Sequence, residues 1–500
     1  MYRPRLRAHL SVTGDGVLVD PFPERDVQLS AVGHALTRAL DGERELADIL
    51  DGLAADGFAH GEAETSFRWL LLVHAVEGAG DATVAKVERI AQRREALPLV
   101  ILDGARFQCQ GSGACCQSYV FGPLDDADVA RLEALPLAEA FPHVARPYVE
   151  TNERGIRHLR SVDECCIFLE DGHRCGIHAR FGAAAKPAIC QLYPLETHVT
   201  VAGLRVADKG GCARFATSAR TGPMLEEDLA RVKPLLAGMP HDLRHPIVAL
   251  DGIPCDFAIA LEFARTAMAL VKKSPVDAPA ALADAGVGLA HVRTALANCP
   301  LEPGQPERTL GNVLAGWANW RATPSPEEVS VGAAALAELL DAIAAAGGEE
   351  KAAGRPILAL ERGCLELLAL AREAALAVAG AAEPPPEAAV AVEDPDVDDV
   401  LRLSLRQQLF GMRFVVDHRV AAGLVRIALL LVVAVWGARR LALRAGRAAV
   451  VPDDLNDGHT LSMRLLDTAS AEQALVEREP AWRAILAALP RVTACRCRGR

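Results

Sequence analysis

Apolar residues recur at helical spacing over most of the chain. After Ser30, a candidate N-cap, Val32, Ala35, Leu36, Ala39 and Leu40 share one face of a helix; Asp41 and Gly42 break it, and Leu46, Ile49, Leu50 and Leu53 resume the period. Ahead of Ser30, LSVTGDGVLVD predicts a hairpin. A second hairpin is predicted in ETHVTVAGLRVAD, where Val199, Val201, Leu204 and Val206 alternate about an Ala-Gly turn. Asp125 is placed to cap a helix with Asp128 in its first turn and Val129 and Leu132 facing inward. From residue 236 onward, stretches such as AIALEFARTAMALVKK are rich in Ala and Leu at helical spacing. The pattern predicts a mainly α fold, α+β overall.

The same pattern divides the chain. Residues 1–95 read as a small α+β module, 98–235 as a cysteine-rich segment, 236–380 as a helical region, 381–399 as a proline-rich and acidic linker, and 400–500 as a C-terminal helical region. The most membrane-like stretch, VAAGLVRIALLLVVAVWGA, spans residues 420–438. Arg426 leaves only 12 uninterrupted apolar residues before Arg439, whereas a span needs about 20. A buried core helix is the expectation, with no stable membrane span.

Length and composition narrow the function. Five hundred residues exceed what one core usually supports. A formal net charge of -12 argues against a general nucleic-acid binder, which needs a basic face to neutralise phosphates. Thirteen cysteines are too few for a disulfide scaffold, and the N-terminal stretch carries no apolar core of signal-peptide length. A cytoplasmic location with free or metal-bound thiols is therefore expected.

Eight of those cysteines lie between residues 109 and 212: Cys109, Cys115 and Cys116 in one group, Cys165, Cys166, Cys175, Cys190 and Cys212 in the other. Gly111 and Gly113 let the first loop bend so that its sulfurs converge. Thiols gathered in a reducing compartment imply a cation, because packed thiolates repel and a bound metal removes that cost while deprotonating its ligands. Zinc takes four ligands and an iron–sulfur cluster takes about four cysteines. Eight therefore suggest two sites, or one site with spare thiols. Phe168 and Leu169 are placed to anchor the second loop while Cys166 and Cys175 stay near its mouth.

The motif F-x-C-x2-C-G-x-C-C followed by C-x-F-L, C-x-I-Y and P-x2-C-x2-Y-P is the signature of the YkgJ-type cysteine-cluster family, which this chain resembles. It stands here as Phe107, Cys109, Gly113, Cys115, Cys116, Cys166, Phe168, Leu169, Cys175, Ile177, Pro187, Cys190, Tyr193 and Pro194. The resemblance implies a domain chelating zinc or iron. Its ligand pool is Cys109, Cys115, Cys116, Cys166, Cys175, Cys190 and Cys212, with Cys165 in reserve and a zinc ion or an iron–sulfur cluster, of the 4Fe-4S kind, as cofactor. Ser112 replaces a cysteine of many members and His178 a tyrosine, so Cys212 or Cys165 is the candidate to complete the set. FGAAAKPAICQLYP, the later Cys212 and the long helical C-terminal part are similar to the flagellin lysine-N-methylase branch. That likeness implies S-adenosylmethionine as a second cofactor and protein lysine methylation as an alternative activity. The first module, through LDGERELADIL, resembles winged-helix-like, peptide-binding modules of the PQQ-synthesis protein D type, implying a protein or peptide partner.

Other residues read more plainly. His173 and His178 flank Cys175 as minor ligand candidates; Cys255, Cys299 and Cys364 stand alone in helical stretches as core residues; Cys495 and Cys497 sit in a basic tail. Gly78 and Gly80 form a lone G-x-G with no supporting strand series, so a helix-connecting turn is expected rather than a nucleotide loop. No G-x-S-x-G hydrolase motif occurs.

Overall fold

A computed structural model describes residues 2–495 apart from 22–23, 93–96, 118–120, 154, 163–164, 171–173, 209, 237–242, 244, 353–361 and 467–468. The N-terminal part opens with an antiparallel sheet of β1 (Ser11–Val12), β2 (Val17–Pro21) and β3 (Glu24–Gln28). Helices α1 (Ala31–Ala39), α2 (Leu46–Ala55), α3 (His60–Leu72) and α4 (Asp81–Gln92) follow. Ser30 caps α1 as expected, its hydroxyl accepting the Gly33 N–H at 3.1 Å. Leu36, Ile49, Phe67, Leu70 and Leu71 form the core beneath the sheet. The glycine pair lies in the turn between α3 and α4, where Gly80 has φ +62° and a Cβ would stand 2.3 Å from the His74 ring.

The cysteine segment is built from short pieces. Strand β4 (Leu99–Ile101) precedes a 3-10 turn at Ala114–Gln117, then α5 (Asp126–Glu133), α6 (Leu137–Ala140), and three two-stranded ribbons: β5 (Val149–Thr151) with β6 (Arg157–Leu159), β7 (Ser161–Val162) with β8 (Cys165–Cys166), and β9 (Leu169–Glu170) with β10 (Arg174–Cys175). Two short helices, α7 (Gly176–Phe181) and α8 (Ala188–Leu192), lead into the second expected hairpin, β11 (Leu195–Thr200) and β12 (Gly203–Asp208). Strand β12 also pairs in parallel with β4, giving a three-stranded sheet. The segment closes with α9 (Phe215–Thr221) and α10 (Leu229–Leu236).

The rest is helical apart from the hairpin β13 (Ile247–Leu250) and β14 (Ile253–Asp256). Its helices are α11 (Phe257–Lys273), α12 (Ala278–Ala297), α13 (Gln305–Ala315), α14 (Pro326–Ala352), α15 (Arg362–Val378), α16 (Pro395–Phe410), α17 (Val420–Arg444), α18 (Leu455–Leu466), α19 (Ala469–Glu477) and α20 (Trp482–Thr493). One hydrophobic core runs from Val248 to Val492. The two helical regions expected separately are thus packed together, and the stretch expected as a linker belongs to the same core: Ala388, Val390 and Val397 are buried in it. Pro395 opens the N-terminal turn of α16, where Asp394 caps the Asp396 N–H at 2.8 Å.

Helix α17 is the axis of this body, and its most apolar window lies entirely inside the protein. Its two charged interruptions are buried and each donates to a helix end. Arg426 donates to the Leu466 carbonyl at the C-terminus of α18 (3.2 Å), and Arg439 donates to the Cys495 carbonyl just past α20 (2.7 Å). Helix C-termini present unpaired carbonyls and the negative end of the dipole, which suits a buried guanidinium. The N-terminal module meets the body through His74, whose ring nitrogens stand 3.6 Å from Asp256 and 3.2 Å from Glu307; Asp256 also faces His245 at 2.9 Å.

Close helix approach predicts two opposite outcomes for glycine replacement. In α14, a Cβ on Gly332 would stand 1.8 Å from the Ala484 carbonyl oxygen of α20. G332A should therefore cost about 3 kcal/mol through overpacking. Gly311, exposed inside α13 with nothing within 4 Å of its Cβ position, should gain about 0.5–1 kcal/mol as G311A. Urea unfolding of both variants measures the difference, and a destabilised G311A or a neutral G332A would contradict the packing described.

Candidate metal centre

The cysteine segment folds around its own aromatic core, and that core places the sulfurs. Phe168 is fully buried between Phe141 and Tyr148, with ring centroids 5.3 and 5.6 Å away. It pins the β8–β9 connection, as its position in the sequence suggested. On β8 the side chains alternate, so Cys166 points inward while Cys165 lies on the opposite side. Cys175 ends β10 and caps α7, and a Cβ on Gly176 would strike the Phe141 ring at 2.5 Å, so the strand-to-helix turn sits directly on the aromatic core.

The first loop is held from outside. The backbone N–H of Gln108 donates to the buried Ser218 hydroxyl of α9 at 2.7 Å, and Phe107 N–H donates to the Pro223 carbonyl at 3.2 Å. Gly111 and Gly113, both at φ +67°, then turn the chain into the 3-10 segment that carries Cys115 and Cys116. Tyr193 fixes a third piece, its hydroxyl donating to the Gly211 carbonyl beside Cys212.

These pieces bring Cys109, Cys115, Cys116, Cys166, Cys175, Cys190 and Cys212 to the wall of one cavity of about 40 Å³. Cys165, held in reserve, does not line it. Of the two histidines, His178 places Nδ1 3.9 Å from the Cys109 sulfur, and His173 lies outside the described residues. Cys255, Cys299 and Cys364 are buried elsewhere. Cys495 lies near Arg439 at the end of α20, and Cys497 is also outside the described residues.

Cys115, Cys116, Cys166 and Cys175 influence one another's titration: hydrogen bonding among these thiols raises the pKa of Cys116 and lowers those of the other three. Cys175 is brought to about 6, first by the Cys116 contact, against burial, with help from the His178 backbone N–H. Burial pushes Cys190 well up and Cys212 up to about 12. Among the described residues no group of three or more His, Cys, Asp or Glu side chains is set to hold a metal ion.

Two residues that the spacing did not single out complete the cavity. Lys186 lines it almost wholly buried, with Nζ 3.9 Å from the Cys109 sulfur. Asp128, expected only as a first-turn acid of α5, is buried; its Oδ1 accepts the Ala188 N–H at 2.8 Å and the Arg131 guanidinium at 2.6 Å, fixing the start of the helix that carries Cys190. The sequence hint for the lysine was its place in the KPAIC stretch.

The far wall is tied to the helical body. His459 of α18 donates from Nδ1 to the Gly210 carbonyl (3.0 Å), which leaves Nε2 to accept the Ser404 hydroxyl (2.7 Å), while the ring stacks on Phe215 at 4.3 Å. Thr460 donates to the Cys212 carbonyl at 3.2 Å. Burial depresses the His459 pKa to about 4, with the Gly210 carbonyl pulling the other way.

That shift sets a pH window. A histidine whose folded pKa is depressed is protonated first in the unfolded chain, so its stabilisation is complete above about 6.5 and is lost as pH falls towards 4. Between those limits the loss should reach about 3 kcal/mol. Unfolding measured across this window should show a shallower fall in H459Q than in the parent, and parallel curves would exclude the histidine as the source. Against protein-family models, curated proteins and solved structures, the chain gives no match.

Proposed function

We propose that this cavity is a thiolate metal centre and that the protein is a metal-chelating cysteine-cluster protein, with zinc or an iron–sulfur cluster as the bound group. One observation carries the reading: seven thiols drawn from residues 109 to 212 line one cavity. A soft cation among them cancels the repulsion between thiolates, since metal binding releases ligand protons. The donor set fits the soft-ligand preference of zinc and iron–sulfur groups, and four thiolates are enough for either. Cys109, Cys115, Cys116, Cys166, Cys175, Cys190 and Cys212 form one ligand pool around the cavity.

Under the methyl-transfer alternative S-adenosylmethionine would bind away from the sulfurs, where the structure has pockets of about 300 to 440 Å³. A drug-sized ligand such as S-adenosylmethionine needs a pocket of roughly 300–1,000 Å³, while the void between the sulfurs is about 40 Å³. The space suits an ion or a compact inorganic group. The N-terminal three-stranded sheet with its helices is read as a protein- or peptide-docking module, on its resemblance alone.

Elemental analysis and absorption spectra of protein purified without oxygen test the centre. The parent should carry zinc or iron, and C116S and C190S should each lose most of it. C165S, off the cavity, and C299S, buried elsewhere, should retain parental content. Equal metal in C190S and C299S would overturn the reading.

A further inference from the structure

We propose that Lys186 is a built-in counter-ion that makes the centre selective for a net-anionic metal–thiolate complex; this rests on the reading of the cavity as a metal centre. Lys186 is only 7% exposed, and among the described residues no carboxylate pairs with it. A buried ammonium without a compensating charge is costly. The neighbouring acid that could have paired with it, Asp128, is committed to the Ala188 N–H and to Arg131. What the lysine faces instead is sulfur: Nζ lies 3.9 Å from Cys109, and Cys115, Cys175 and Cys190 share the same cavity wall.

Its backbone is fixed for this purpose. The Lys186 carbonyl accepts the Gln191 side-chain amide at 2.7 Å and the Arg131 guanidinium at 3.5 Å, and Pro187 follows it directly into α8. The side chain therefore enters the cavity from a rigid corner. Four thiolates around a divalent ion carry a net charge of about -2, as do four thiolates around an oxidised four-iron cluster. One fixed ammonium halves that charge without occupying a ligand position. Positive charge held close to a thiolate favours the ionised, metal-bound form over the free thiol.

The test compares K186M, which keeps length and loses charge, with K186R, which keeps the charge. The chelator-stripped, reduced proteins are titrated with Co²⁺, read by the sulfur-to-cobalt charge-transfer band, and then with Zn²⁺ in competition; thermal melting of each metal-free variant checks the fold. K186M should bind roughly tenfold or more weakly, with K186R within about threefold of the parent. Where the native group is an iron–sulfur cluster, K186M should also shift its reduction potential downward and K186R should leave it near the parental value. Parental affinity in K186M, or an equal loss in K186R, would overturn the proposal while leaving the metal centre standing. A parent that takes up neither ion and forms no cluster would overturn the metal centre, and this proposal with it.

Discussion

A sulfur buried in a protein can be charged only beside something positive. That constraint organises the region from Cys109 to Cys212. Thiols gathered on one cavity wall would be unfavourable as thiolates, and the structure sets an ammonium, Lys186, beside them, 3.9 Å from the Cys109 sulfur. Burial pushes the pKa of Cys190 and Cys212 upward. The surrounding fold has little regular structure because its task is to hold loops: ribbons of two strands, helices of four to eight residues, and a core of aromatic side chains.

Much of this was legible in the order of residues. Closely spaced cysteines with intervening glycines announced a converging loop, and Phe168 announced its own role because a large aromatic ring next to two cysteines has nowhere to go but inward. The β11–β12 hairpin followed from strict alternation. What escaped was everything set by contacts across the chain. Lys186 reads as a surface residue until the cavity is seen, Asp128 as an ordinary first-turn acid, and Ser218 as part of a small polar helix, yet each acts on a segment tens of residues away. The motif spacing already set Cys166 ahead of Cys165, and the strand gives the physical reason, since the two occupy opposite faces of it.

The helical body shows the same limit. Triple proline with an acidic run looks like a linker, because composition reports that a segment cannot make its own helix or strand and says nothing about whether neighbours bury it. Ala388, Val390 and Val397 are small enough to fill gaps beside α17, and they make the stretch part of the core. Arg426 and Arg439 correctly signalled that α17 is no simple lipid-facing rod, but only the fold supplies the carbonyls that receive them.

Those carbonyls come late. They belong to Leu466 and Cys495, at the ends of helices that follow α17 in the chain, so a growing polypeptide displays an oily segment before the residues that will enclose it have been made. During that interval the segment offers itself to the apparatus that threads nascent proteins into lipid. An arginine at the centre of a spanning segment opposes insertion by about 2.5–3.5 kcal/mol and one nearer its end by less, so Arg426, the interruption inside the apolar run, weighs against the bilayer before it locks the core.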